Sequence, residues 1–100
     1  MGQSLKIAHR MVESRIDAAA AGDLDALYAL GVAYSAGSDD TDVDLIEAHK
    51  WFNLAALNGS ERAQESRAEI AGYMTAREIA EAQRQARAWL SAACVNRIAA

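Results

Sequence analysis

A five-residue helix ending recurs at a fixed interval, and this recurrence narrows the possible folds more than any other feature. Ala18-Ala19-Ala20-Ala21-Gly22 returns as Ala55-Ala56-Leu57-Asn58-Gly59 and again as Ala92-Ala93-Cys94-Val95-Asn96, each copy 37 residues after the last. Glycine, and after it asparagine, closes helices in a left-handed conformation, so each copy reads as a helix end. Asp23 and Ser60, good N-cap residues, stand at the same offset, as do Ala26 with Ala63 and Phe52 with Trp89. A period of this size belongs to stacked helical units, none of which can bury its apolar face alone. Composition agrees. The chain has 24 alanines and no proline in 100 residues, where average usage would supply roughly five prolines. Alanine is the best helix former, is weak in strands and lets backbones approach closely. This composition argues strongly against an all-β or loop-rich fold.

Apolar spacing between these marks predicts five helices. The first, about 4–21, places Leu5, Ala8, Val12, Ile16 and Ala19 on one stripe. The second, 23–36, carries Ala26, Leu27, Leu30, Ala33 and Tyr34 and ends at Gly37. The third, 45–58, starts from a capping box of Asp44 and Glu47 and buries Leu45, Ala48, Trp51, Phe52, Ala55 and Ala56. Its second apolar face, Ile46, Leu54 and Leu57, marks it as sandwiched between neighbours. The fourth, 60–73, is mostly polar, with Ala63, Ile70 and Ala71 as buried candidates. The fifth, 75–95, opens on Thr75 with Glu78 returning the bond and Met74 and Ile79 as a hydrophobic staple, then runs through Ala82, Ala86, Trp89, Leu90 and Ala93. Its length suits a terminal capping element. The expected architecture is one domain over 1–100, a short α-solenoid (an α-α superhelix) of five antiparallel helices.

The residues also resemble a known family. Ala26-x-x-x-Leu30-Gly31-x-x-Tyr34-x-x-Gly37, followed by Asp44-x-x-x-Ala48-x-x-Trp51-x-x-x-Ala55-Ala56-x-x-Gly59, looks like one Sel-one-like repeat of the tetratricopeptide-repeat clan, spanning residues 23–59. Residues 4–22 resemble only the second helix of a preceding repeat. Residues 60–96 resemble a degenerate following one, with Arg67-Ala68 where Leu-Gly belongs. Residues 61–89 also look like the C-terminal extension of short bacterial members. The resemblance implies an α-solenoid of helix pairs that acts as an interaction scaffold. Gly31, in mid-helix at a cost of about 1 kcal/mol against alanine, is expected where a neighbouring aromatic or backbone needs the missing side chain. Tyr34, Trp51, Phe52 and Trp89 are the large core pieces among the alanines, an aromatic cage being the sharper alternative.

Several chemistries find no support. A net charge of −4 gives no electrostatic basis for nucleic-acid binding. The single cysteine, Cys94, forms no intramolecular disulfide and suits a reducing cytoplasm. No apolar run approaches the ~20 residues of a membrane span. Charged residues from Lys6 to Asp17 leave no apolar core for a leader, so the chain, read as complete, is expected to be cytoplasmic. His9, His49 and Cys94 lack metal-ligand spacing, and His49 reads as a structural histidine at a core edge. Asp40-Thr41-Asp42-Val43-Asp44 imitates the start of a calcium loop, but Leu45 replaces the required glycine and Trp51 the closing glutamate. Arg77, Arg84 and Arg87 could form a basic strip for an anion, but Glu78 and Glu81 interleave them, and a solvated face is the plainer reading. No nucleophile stands beside a base, and no cofactor or metal is expected.

The functional expectation is therefore a protein-interaction module, an adaptor or scaffold without catalytic activity, taking a protein or peptide partner. One alternative is a structural or regulatory subunit that self-associates through exposed solenoid ends. Another is a small-molecule or enzymatic site near His49 and Trp51. The family resemblance gives helix 23–36 the concave recognition surface, and a helical wheel turns Leu24, Asp25, Tyr28, Val32 and Ser35 away from its core stripe. Tyr28 and Val32, four apart, have the composition of an interface anchor. Burial of both beneath the first or last helix is the competing expectation.

Overall fold

The computed structural model describes Ala19, residues 22–38 and residues 41–99, with side chains as far as residue 92. Among the described residues the chain forms four helices: α1 (Leu24–Ala36), α2 (Leu45–Leu57), α3 (Glu61–Ala71) and α4 (Ala76–Ala99). They include no strand, only an isolated antiparallel bridge between Ser38 and Thr41 in the α1–α2 link. The fold is all-α. The expected helix over 4–21 lies outside the described residues, apart from Ala19, which is helical and belongs to the core.

Each helix starts where a side chain satisfies the free amides of its first turn. Asp23 Oδ1 accepts from the amides of Asp25 (2.9 Å) and Ala26 (3.2 Å). Asp44 Oδ1 accepts from Glu47 N (3.1 Å), and Ser60 Oγ from Ala63 N (3.1 Å). At Thr75 the reciprocal box closes: Glu78 N donates to Thr75 Oγ1 (3.1 Å), and Thr75 N donates to Glu78 Oε1 (2.8 Å). The box expected at Asp44 is only half made. Asp44 N donates to Tyr34 O instead, and the Glu47 carboxylate is engaged elsewhere.

Two of the three recurring endings behave as read: Gly22 and Gly59 take φ of 91° and 102°. The third does not. Asn96 lies inside α4, which continues past the expected boundary at 95 to Ala99. A left-handed asparagine is strained in a way glycine is not, and Arg97 stands where Asp23 and Ser60 supply N-caps after the first two copies. Conversely, α3 stops at Ala71 rather than 73. Its end tightens into successive i→i+3 bonds, from Gly72 N to Glu69 O, Tyr73 N to Ile70 O and Met74 N to Ala71 O.

Helix α2 is the centre of the molecule, and α1, α3 and α4 each pack principally on it. α1 runs antiparallel to α2: Tyr34 meets Asp44 at one end, and Tyr28 meets Phe52 at the other. Leu27 and Leu30 from α1 join Ala48, Trp51, Phe52, Leu54 and Ala55 from α2 as the densest part of the core. α3 contributes Ala63 fully and Ile70 partly; α4 contributes Ala82 and Ala86. Small side chains at these contacts let three helices crowd one. Leu57, expected on the second buried face of α2, is 62% exposed. It occupies the last turn before the chain reverses through Asn58 and Gly59, and nothing among the described residues covers it.

Candidate interaction face

The five residues singled out on α1 do not share one environment. Leu24 (37% exposed) and Val32 (39%) present apolar surface to solvent, and Asp25 is exposed beside them. Ser35 is half-buried and donates from Oγ to Val32 O (3.1 Å), a bond that turns its hydroxyl back onto the helix. Tyr28 is half-buried: one side of its ring lies on Phe52, with centroids 5.5 Å apart at 47°. Over the same ring sits the Arg62 guanidinium of α3, 4.3 Å from the centroid. Tyr28 is thus a bridge between the core and the surface, rather than the fully outward anchor that the helical wheel suggests.

Arg62 is the residue sequence reasoning missed. It stands 37 positions after Asp25, a residue of opposite charge, and the repeat offset does not point it at Tyr28. The contact ties α1 to α3 across the top of α2 by a cation–π interaction, worth about 0.5–1 kcal/mol at an exposed site. The resulting face is Leu24, Asp25 and Val32, with the Tyr28–Arg62 stack along one edge. It offers apolar area, charge and hydrogen-bonding capacity, and no group placed for covalent or acid–base chemistry.

A second cluster joins α2 to α4. Glu47 Oε2 accepts from the buried Trp51 indole Nε1 (3.0 Å), while Oε1 accepts from Lys50 Nζ (3.0 Å). The Lys50 ammonium also lies 4.6 Å from the Trp51 ring centroid. Trp51 in turn packs edge-to-face on Trp89, centroids 4.9 Å apart at 75°. Burial, and then the Glu47 and Asp44 carboxylates, push the Tyr34 phenol above its ordinary pKa. Every charged group here has its partner within the cluster, which makes it a structural joint. The tryptophans pack against each other, and the one ammonium at them is the chain's own.

The alternative small-molecule site near His49 and Trp51 falls on residues that are 3% and 2% exposed. Of the arginines on α4, Arg84 is held by Glu81 through Nη2–Oε1 (2.6 Å) and Nε–Oε2 (2.9 Å). Arg84 and then Gln85 draw the Glu81 carboxyl down to about 2, and Arg77 and Arg87 are exposed. Among the described residues no three His, Cys, Asp or Glu side chains converge as metal ligands. Asp40 of the calcium-like string lies outside them. No helix among the described residues is long and apolar enough to cross a membrane. No protein-family model matches the chain, and neither a curated protein nor a solved structure matches it.

Proposed function

We propose that this protein is an interaction module of the Sel-one-like kind, a cytoplasmic adaptor without catalysis, built as a short α-solenoid with α1 on its recognition side. The observation that carries this reading is the α1 face, where Leu24 and Val32 stay open to solvent on a helix otherwise anchored by Leu27 and Leu30. The motif through Ala26, Leu30, Gly31 and Tyr34, and the repeat offset, support it from the sequence side. The partner is a protein or peptide that lays apolar groups on Leu24 and Val32 and meets Asp25 with a donor or a cation. Since Tyr28 is half in the core, a test by truncating it would confuse folding with binding. Leu24→Asp with Val32→Asp changes only exposed positions, where substitutions usually stay within about 0.5 kcal/mol. Partners captured from the native host are purified and titrated calorimetrically against wild type, this variant and a Leu57→Asp control. Loss of binding in the α1 variant alone supports the assignment; equal binding by all three removes it.

Self-association is the second reading, favoured by the exposure of Leu57, Val43 and Tyr73, none of them on α1. Light scattering on the purified protein decides it. A monomer across the micromolar range rules it out.

A further inference from the structure

His49 is the one buried polar residue among those described, 3% exposed, one turn before Asn53, which binds Arg67 of α3. Its Nδ1 is buried and has no hydrogen-bond partner among the described residues. An orphaned buried nitrogen costs stability as it stands, and an imidazolium there would bury a charge with no counter-ion among the described residues. The neighbour α3 supplies is a cation: Arg67, fixed in place by donating from Nη1 to Asn53 Oδ1, one turn along α2 from His49. No charged group of α1 or α4 acts on the imidazole among the described residues, and on α2 itself Glu47 and Lys50 are paired with each other. Burial, and then Arg67, hold the His49 pKa below its ordinary 6.5.

α3 also buries little of its own surface. It is eleven residues long, mostly polar, and packs principally on α2. Ala63 is its single fully buried residue, whereas α1 is anchored by Leu27 and Leu30.

We propose that the α2–α3 contact is an acid-released latch: protonation of His49 against Arg67 undocks α3 and lifts Arg62 from the Tyr28 ring. With the latch closed, His49 binds its proton less readily than with α3 undocked. The closed form is therefore fully favoured above pH 6.5 and loses ground as pH falls below it. One proton taken up on opening raises the opening constant by at most tenfold per pH unit. The loss levels off below the depressed pKa of the docked state. This device meets the α1 face at its Tyr28–Arg62 edge but does not depend on any partner.

Amide hydrogen exchange and imidazole NMR shifts test it, between pH 7.5 and 5.5, in a His9→Gln background that leaves His49 as the sole imidazole. After correction for intrinsic exchange, the α3 amides should lose protection below pH 6.5, by up to tenfold per unit, while the α1 and central α2 amides keep theirs. The His49 imidazole should still be mostly neutral at pH 6.5. His49→Gln should flatten the α3 response. Arg67→Gln, which can still donate to Asn53, should move the imidazole midpoint back toward 6.5. Constant α3 protection across the range overturns the latch. So does an imidazole that titrates at or above 6.5, or an α3 response that survives in His49→Gln. Should His49→Gln fail to fold, the wild-type imidazole midpoint and α3 protection profile decide the matter between them.

Discussion

Gly31 and Phe52 share one volume. The Phe52 ring of α2 lies where a side chain at position 31 of α1 would begin: a Cβ built there would overlap Cδ1 and Cε1 and stand 2.9 Å from Cγ. The ring is itself buried and packs against Tyr28, one turn before Gly31 on the same helix. α1 and α2 can therefore approach this closely only because residue 31 has no side chain.

Gly31→Ala should thus destabilise the protein, although it would gain about 1 kcal/mol of helix propensity at a free site. Overpacking of this kind costs about 1–3 kcal/mol, and Gly31→Leu should cost more than Gly31→Ala. Thermal melts followed by circular dichroism measure it. Adding Phe52→Leu to Gly31→Ala should recover part of the loss. A Gly31→Ala protein melting at or above wild type would mean that the ring yields freely.

Glu47 gives a second expectation. Glu47→Ala leaves the buried Trp51 indole N–H without its acceptor, a loss of about 1–3 kcal/mol. Glu47→Gln keeps an acceptor oxygen and should cost clearly less. Denaturant titrations of the two variants, read by tryptophan fluorescence, rank them. Equal losses would show that the charge, and not the hydrogen bond, is what matters.

The caps of α3 and α4 should be worth about 1 kcal/mol each, the usual cost of replacing a serine or threonine cap by alanine. Ser60→Ala removes the acceptor for Ala63 N, and Thr75→Ala the acceptor for Glu78 N. Because α3 has so little buried surface, Ser60→Ala should raise exchange of α3 amides before it lowers the global melting temperature.

The Glu81–Arg84 pair makes a prediction about pH. The carboxyl of Glu81, held at about 2 by Arg84 and then Gln85, contributes stability that is present above its ordinary value of 4.5 and lost as pH falls toward 2. Arg84→Ala should return the carboxyl toward the ordinary range in a carbon-detected titration. Both side chains are in solvent, so the melting temperature at pH 7 should barely move. A large drop would mean that Arg84 also packs.

Local chemistry was legible in the sequence. Asp23, Asp44, Ser60 and Thr75 mark the four helix starts because a cap acts within three residues of itself. The core alanines followed from spacing, and Gly31 from being out of place. What the sequence concealed depends on elements far apart in the chain. Leu57 looks buried until the path of the turn after it is known. Tyr28 looks outward until Phe52 packs on its ring and Arg62 stacks over it. Glu47 fits a capping box by template, yet Trp51 and Lys50 sit within its reach and take the carboxylate. On α1, Leu24, Asp25 and Val32 are exposed as the wheel predicts, Ser35 turns back on its own helix, and Tyr28 is divided between core and surface.

The central position of α2 bears on how the chain comes apart. In a long array of units that touch only their neighbours, an end unit can peel away while the rest stands. Here α1, α3 and α4 lean on one shared beam of thirteen residues. Excising α3 would strip one wall, but a break between Leu45 and Leu57 would take the support from every wall at once. A nick in the α3–α4 link should therefore be survivable and a nick in α2 fatal, so that the molecule fails as a roof does when its ridge goes.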